Sequence, residues 1–546
     1  MSKLVQNHKI LYLFSLILII LYSVVDLFKS ILINFLFDEQ LSNSIQSLIL
    51  IISIFLLIYL IVYSLEQYIV EMLKNKIRYK LNQDLYQSYI SRNIEQFKEK
   101  DSGEILNEFN NEVNIVIDNY VASKLNVFAL TTSLFLGSLY IAHLSIEILL
   151  FLFTCAFITI FINGIFKKKL ERNEMKYLDA TKRWLSTIKN LCRCFRDIKI
   201  LNLEKTFVDD LDKENKYLEK SILNNNGFLK MLSSLNAFVS QAMFFLTLLF
   251  GILLIHSNQL TVGQLLGIAQ TSNMVILPII NYANLRNMIQ SSKPILQKLL
   301  DNSICYKEQG ISLCGEKLRE IKLDNLHYFY GTREILSLDS LEIQKGKKYL
   351  IVGKSGEGKT TFLDILTKQK ESKGVYVNGK DLEKIQFSSY VENFSYVGQD
   401  NDLLPFTFEQ NIALGKKMNR YSIDKLISIF NLESVFDKGR DDLNFDYLNL
   451  SGGEKQRICL ARALYSNRKW MFLDEAFSAI DKTNSDRIHN FILTDEDLTV
   501  ISIEHKLTTE IVCLYDKVLL IKDKKIISLD VEEYLNKSEY AFSTRN

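Results

Sequence analysis

Residues 348–366 read KYLIVGKSGEGKTTFLDIL: an apolar run, a glycine-rich loop and a second apolar-periodic stretch. The loop satisfies G-x-x-x-x-G-K-[ST] through Gly353, Gly358, Lys359 and Thr360. Glycines at this spacing let successive backbone N–H groups wrap phosphate, the lysine offers a positive charge to the β- and γ-phosphates, and the threonine hydroxyl can ligate Mg²⁺. That chemistry requires a strand before the loop and a helix after it, and the sequence has both patterns. A second stretch, LNLSGGEKQRICLARALY at 448–465, sets Ser451, Gly452 and Gly453 directly ahead of a helical pattern studded with lysine and arginine. Helix N-termini present unpaired N–H groups and a favourable dipole, so phosphate is the expected visitor there too. A third, KWMFLDEAFSAID at 469–481, is a buried-type strand ending in Asp474 and Glu475. One of two adjacent acids can orient a metal through water while the next polarises an attacking water, a division of labour that phosphoryl transfer needs.

Together these stretches resemble the ATP-binding cassette (ABC) family. The resemblance rests on the phosphate loop at 353–361, Gln399 in YVGQD, LSGGEKQR at 450–457, MFLDE, SAID at 478–481, and IEHK with His505, all in the family's order. The chain as a whole is similar to a bacterial ABC exporter half-transporter of the peptide or multidrug type. That implies a membrane α-helical bundle of six transmembrane helices followed by an α/β P-loop ATPase domain, with ATP and Mg²⁺ as cofactors. Carried over residue by residue, Gly353, Lys354, Ser355, Gly356, Glu357, Gly358, Lys359, Thr360 and Thr361 hold ATP. Gln399 senses the γ-phosphate and signals to the membrane domain, and Thr360, Gln399 and Asp474 attend the metal. Glu475 is the general base, Lys359 and His505 complete the catalytic set, and Tyr330 rather than Tyr328 of LHYFYGTREIL stacks on adenine.

The resemblance also implies that Ser451, Gly452 and Gly453 complete the ATP pocket of a second half-transporter subunit. One chain with one cassette must then dimerise. Both faces of its site are intact, so a homodimer suffices, with a heterodimer as the alternative. Phe97–Val113 resembles the first segment that couples the cassette to the membrane, and the second is expected near 188–196, where no sharp motif marks it. One stretch departs from the family pattern: residues 439–449 read GRDDLNFDYLN where many exporters carry a Thr-x-Val-Gly-x-x-Gly-like sequence, so that loop's contacts are not carried over.

The elements that must position this chemistry lie in two unlike halves. A chain of 546 residues exceeds a single core, and its 48% hydrophobic share is concentrated in the first 290 positions. Apolar runs at 10–37, 47–63, 127–142, 148–166, 235–255 and 262–285 can each supply the roughly 17–25 residues that cross a bilayer, once their ends extend. The connections at 38–45, 142–147 and 256–263 contain no lysine or arginine, whereas 74–124 and 167–230 are long and rich in both. The positive-inside rule therefore places the long loops and both termini in the cytoplasm, and the resemblance implies the cytoplasmic membrane of a bacterium. Residues 1–300 form the transmembrane domain, 301–320 a linker, and 321–546 the nucleotide-binding domain.

A net charge of +2 without a separate basic tract gives no case for nucleic acid as a partner. Seven cysteines without framework spacing predict no disulfides, and Cys192 and Cys194 lack the further ligands of a zinc site. Nine residues precede the first apolar run, so no amino-terminal protease domain is expected. Asp26 and Lys29, three residues apart in the first span, share a helix face; they either line a cavity or neutralise one another. Glu66 is expected to be solvated near the end of span two. The reading is ATP-driven export by alternating access, with a small, bacteriocin-like peptide as cargo. Its rivals are a multidrug or lipid exporter or flippase, and an ATP-gated channel or sensor.

Overall fold

Where the surroundings are apolar, a backbone must satisfy its own hydrogen bonds, and the first part of the chain does so with helices alone. The computed structural model describes residues 4, 8–38, 45–98, 100–306, 308, 310–313, 315–399, 402–414, 418–439, 450–504 and 507–536. One structural unit comprises residues 1–90 and 101–305, the other residues 91–100 and 306–546.

The helical unit contains α1 (Lys9–Asp38), α2 (Ile45–Ser91), α3 (Ser102–Leu144), α4 (Ile146–Ile200), α5 (Glu204–His256) and α6 (Val262–Asn302). Caps mark where the polar connections begin. Ser145 accepts the Ile148 N–H ahead of α4, and a reciprocal Thr261–Gln264 box opens α6. Six spans were expected. Among the described residues, five helices (α1, α2, α3, α5 and α6) are long and apolar enough to cross a membrane, while α4 opens with a shorter apolar stretch, Ile146–Ile158. α6 is the most enclosed of them and packs on α1 and α3, close enough that a Cβ on Gly137 of α3 would lie 2.9 Å from the Met274 Cβ. Small residues permit such backbone approach between apolar helices.

Polar groups in this unit are placed against expectation in one case. Glu66 is buried and takes a hydrogen bond from the Gln67 amide at 2.8 Å, because it shares the inward face of α2 with Ile69 and Leu73. Asp26 and Lys29 are both half-buried on α1 and interact electrostatically. Near the start of α3, where the helix widens into π-turns at Glu108–Glu112 and Val116–Ala122, the Glu108 carboxylate is fully enclosed. It accepts from the Tyr89 hydroxyl, from Asn302 Nδ2 at 3.0 Å and from Lys298 Nζ at 3.3 Å. Lys298 also reaches Glu112 at 2.8 Å. The last turns of α2 and α6 are thereby tied to the start of α3.

The second unit is an α/β layer. Its strands are β1 (Glu320–Tyr330), β2 (Arg333–Gln344), β3 (Lys348–Gly353), β4 (Val375–Val377), β5 (Lys380–Asp381), β6 (Phe394–Val397), β7 (Trp470–Asp474), β8 (Thr499–Ile503), β9 (Lys517–Lys522) and β10 (Lys525–Asp530). They form one sheet in the order β5-β4-β1-β2-β10-β9-β3-β8-β7-β6. Strands β9, β3, β8, β7 and β6 run parallel to one another, as expected for strands covered on both faces by helices. One face carries a core with Leu350, Leu473, Ile458 and Phe430; the other carries Ile351, Phe472, Phe362 and Trp470. The helices that matter for the site are α7 (Lys359–Leu366), after β3, and α8 (Gly452–Tyr465), before β7. Replacing Glu108 with alanine takes an acceptor from the buried Tyr89 hydroxyl; a loss of ~1–3 kcal/mol is expected, read as a lower unfolding midpoint in detergent, whereas Glu112→Ala, which takes an acceptor from the part-exposed Lys298, shifts it less.

Candidate nucleotide site

Parallel strands place their C-terminal ends on one edge of the sheet, and ligands of open α/β folds bind there. Strand β3 is buried between β9 and β8 and ends at Gly353, where a Cβ would lie 2.6 Å from the Ile521 carbonyl oxygen. The loop then passes through left-handed conformations at Gly356 (φ 83°) and Gly358 (φ 95°), which glycine adopts without steric cost. Lys359 opens α7 with its side chain folded back over the loop: Nζ donates to the carbonyls of Gly353 at 2.9 Å and Lys354 at 3.0 Å. Burial pushes the Lys359 pKa down, opposed by the charges of Glu475, Glu357 and Asp474. An anionic ligand would replace those carbonyls as the partner of this ammonium.

Two strands away, β7 delivers the acid pair. Asp474 is buried, and Thr360 Oγ1 donates to its Oδ1 at 3.4 Å. Burial raises the Asp474 carboxyl pKa, the Thr360 bond opposes that, and Glu475 and Asp364 add to it. Glu475 follows with φ 50°, a conformation that non-glycine residues adopt at a cost, its N–H held by the Ile503 carbonyl at 3.0 Å. Gln399, after β6, donates Nε2 to Glu475 Oε2 at 3.3 Å. Lys359, Thr360, Asp474, Glu475 and Gln399 are therefore brought into one place from three segments. A hydroxyl, an amide and a carboxylate supply hard oxygen donors that suit Mg²⁺, with its remaining positions left for water and phosphate.

The other expected residues divide. Tyr330 is 77% exposed at the end of β1, while Tyr328 packs against the core, so only Tyr330 offers a free ring face. Ser451 caps α8 through a reciprocal box with Glu454: Glu454 Oε2 accepts both the Ser451 N–H at 2.8 Å and its hydroxyl at 2.7 Å. Gly453 is glycine for a reason that phosphate alone does not supply, since a Cβ there would lie 2.7 Å from the Ala479 carbonyl. His505 lies outside the described residues, as do 440–449 of the unusual loop.

Two residues escaped the sequence reading. Glu504, directly after the apolar β8, is 8% exposed, and its Oε1 has no hydrogen-bond partner among the described residues. Burial, reinforced by Glu475 and Asp474, drives its pKa well above the usual carboxylate range. A charged type closing an apolar strand was the available signal. Gln456 sits inside LSGGEKQR, where composition gives no hint of its contacts.

Comparison with known proteins agrees with this geometry. Residues 10–279 match the family described as the ABC transporter transmembrane region, and residues 336–478 match the ABC transporter family. The chain belongs to the ABC transporters. It is 25% identical over 451 residues to the lactococcin-A transport/processing ATP-binding protein LcnC of Lactococcus lactis, covering 79% of this chain and 61% of the relative. It is 28% identical over 457 residues to the transport/processing ATP-binding protein ComA of Streptococcus pneumoniae, covering 79% and 62%. The chain thus spans about three fifths of the length of these curated relatives. A solved bacterial Atm1-family ABC exporter with ATP bound shares the fold, with a TM-score of 0.78 at 16% identity over 99% of this chain and 98% of that one.

The raised Glu504 carboxyl has a stability consequence with a definite sign. The folded chain keeps this proton after the unfolded chain has lost it, so the contribution to stability is present below about pH 4.5 and is lost as pH rises. Glu504→Gln removes that loss. Its unfolding midpoint, relative to the parent chain, should rise as pH increases above about 4.5, and a difference independent of pH would contradict the assignment.

Proposed function

We propose that this chain is one half of an ATP-driven exporter that works as a homodimer in the cytoplasmic membrane of a bacterium, with both termini in the cytosol and a small peptide as cargo. The observation that carries the reading is the convergence of Lys359, Thr360, Asp474, Glu475 and Gln399 at one edge of the sheet, in a chain whose other unit is built of long apolar helices. The relative LcnC, a lactococcin-A transport/processing protein, favours a peptide over a drug or lipid. The processing activity is not carried over.

The residues divide the work. Tyr330 stacks on adenine. The N–H groups of 353–361 wrap the phosphates, and Lys359 turns from the Gly353 and Lys354 carbonyls to the β- and γ-phosphate oxygens. Mg²⁺, when bound, neutralises phosphate charge and orients the terminal phosphoryl group; Thr360, Asp474 and Gln399 are placed to hold it. Glu475, released from Gln399, accepts a proton from the attacking water, and His505 holds the γ-phosphate. Ser451, Gly452 and Gly453 of one subunit close the pocket of the other. Closure is transmitted to the spans by the segments near 97–113 and 188–196, and hydrolysis resets it.

Glu475→Gln should lower ATP hydrolysis by at least about a hundred-fold while keeping ATP bound in a closed dimer, and Lys359→Met should weaken ATP binding itself. Both are read from phosphate release and nucleotide retention by purified protein; wild-type turnover in Glu475→Gln would remove the base assignment. In proteoliposomes, small peptides should stimulate hydrolysis and accumulate in the lumen of inside-out vesicles. Stimulation by lipid alone would transfer the cargo assignment to a flippase.

A further inference from the structure

The turn bearing Ser451, Gly452 and Gly453 and the loop bearing Glu475 belong to the same chain, and the structure leaves no slack between them. A Cβ on Gly453 would meet the Ala479 carbonyl at 2.7 Å, and one on Gly452 would meet the Ala479 side chain at 3.3 Å. Gln456, 3% exposed in the second turn of α8, binds the same loop. Its Oε1 accepts the Ala479 N–H at 2.9 Å, and its Nε2 donates to Ser478 Oγ at 3.0 Å and, more weakly, to the Glu475 carbonyl at 3.5 Å. A buried amide that loses such partners is left with unsatisfied polar atoms, so helix and loop shift together rather than slide.

We propose that Gln456 is a positioning residue that makes the two nucleotide pockets of the assembly report on each other. The proposal rests on the reading above, in which Ser451–Gly453 of one subunit close the pocket of its partner. A triphosphate in the partner's pocket draws the turn towards it, and Gln456 passes that displacement to Ser478, Ala479 and the backbone of Glu475. The Glu475 carboxylate acts in the chain's own pocket. Its backbone is suited to register a small push, because φ is 50° and the N–H is pinned to Ile503, so a shift of the following residues re-aims the side chain. In a two-fold assembly each turn reads one ATP while the acid tied to it acts on the other, and the two sites become cooperative.

The test is an ATP titration of hydrolysis by the full-length dimer in lipid nanodiscs. The parent chain should show a Hill coefficient of roughly 1.5–2, the ceiling for two sites being two. Gln456→Met, of equal length but without an amide, should fall to about one. Gln456→Glu, which keeps an acceptor for the Ala479 N–H and the Ser478 hydroxyl, should lie between them. Ser478→Ala, on the exposed side of the contact, preserves the fold if Gln456→Met does not and should also lower cooperativity. A merely structural role would reduce the amount of active protein without changing the Hill coefficient. A coefficient of one in the parent chain, or an unchanged coefficient in both Gln456→Met and Ser478→Ala, overturns the inference. Ser451→Ala separates the two levels: if it leaves the ATP dependence untouched, closure by the partner's turn is wrong, and if it weakens ATP use while Gln456→Met stays cooperative, only the role of Gln456 is wrong.

Discussion

The site depends on three parallel strands lying side by side. Because β3, β8 and β7 are neighbours running the same way, whatever follows each of them emerges at the same edge of the sheet: the phosphate loop, Glu504 and the acid pair. The register sets Asp474 beside Ile503 and Ile351 beside Ile503, so residues more than a hundred positions apart are neighbours at that edge. Burial of these strands on both faces holds the register, since a slip by one residue would exchange the two apolar faces that the flanking cores require.

Charge is concentrated at that edge at an electrostatic cost. Asp474 and Glu504 are buried, Glu475 stands beside them, and Lys359 is held by backbone carbonyls rather than by a carboxylate. Such an arrangement is poorly stabilised by itself, and under the proposed function a bound triphosphate with its metal would answer it: anion for Lys359, cation for Asp474. The unusual backbone of Glu475 belongs to the same pattern, in which stability is given up where chemistry is performed.

The helical unit shows a different economy. Its apolar surface is left outward, and the enclosed Glu108 carboxylate joins α2, α3 and α6 through polar contacts. The π-turns beside Glu108 widen the helix where this carboxylate is received.

Much of this was legible in the residues themselves. Apolar length announced helices for a membrane, and glycine spacing announced a phosphate loop between a strand and a helix, because both are local properties of the chain. Tyr330, chosen over Tyr328 by resemblance, is also the ring the fold leaves open. The sequence did not show that Glu66 turns inward, that Glu504 is buried behind the acid pair, or that Gln456 clasps the loop behind Glu475. Nor did it show that Gly453 is required by the Ala479 carbonyl as much as by phosphate. Sequence determines which segments are helix, strand or glycine turn, since those follow from neighbours a few residues apart. Burial and partners at these four positions were decided by segments that meet only after folding, and a polar side chain's energy is set by what encloses it rather than by what precedes it.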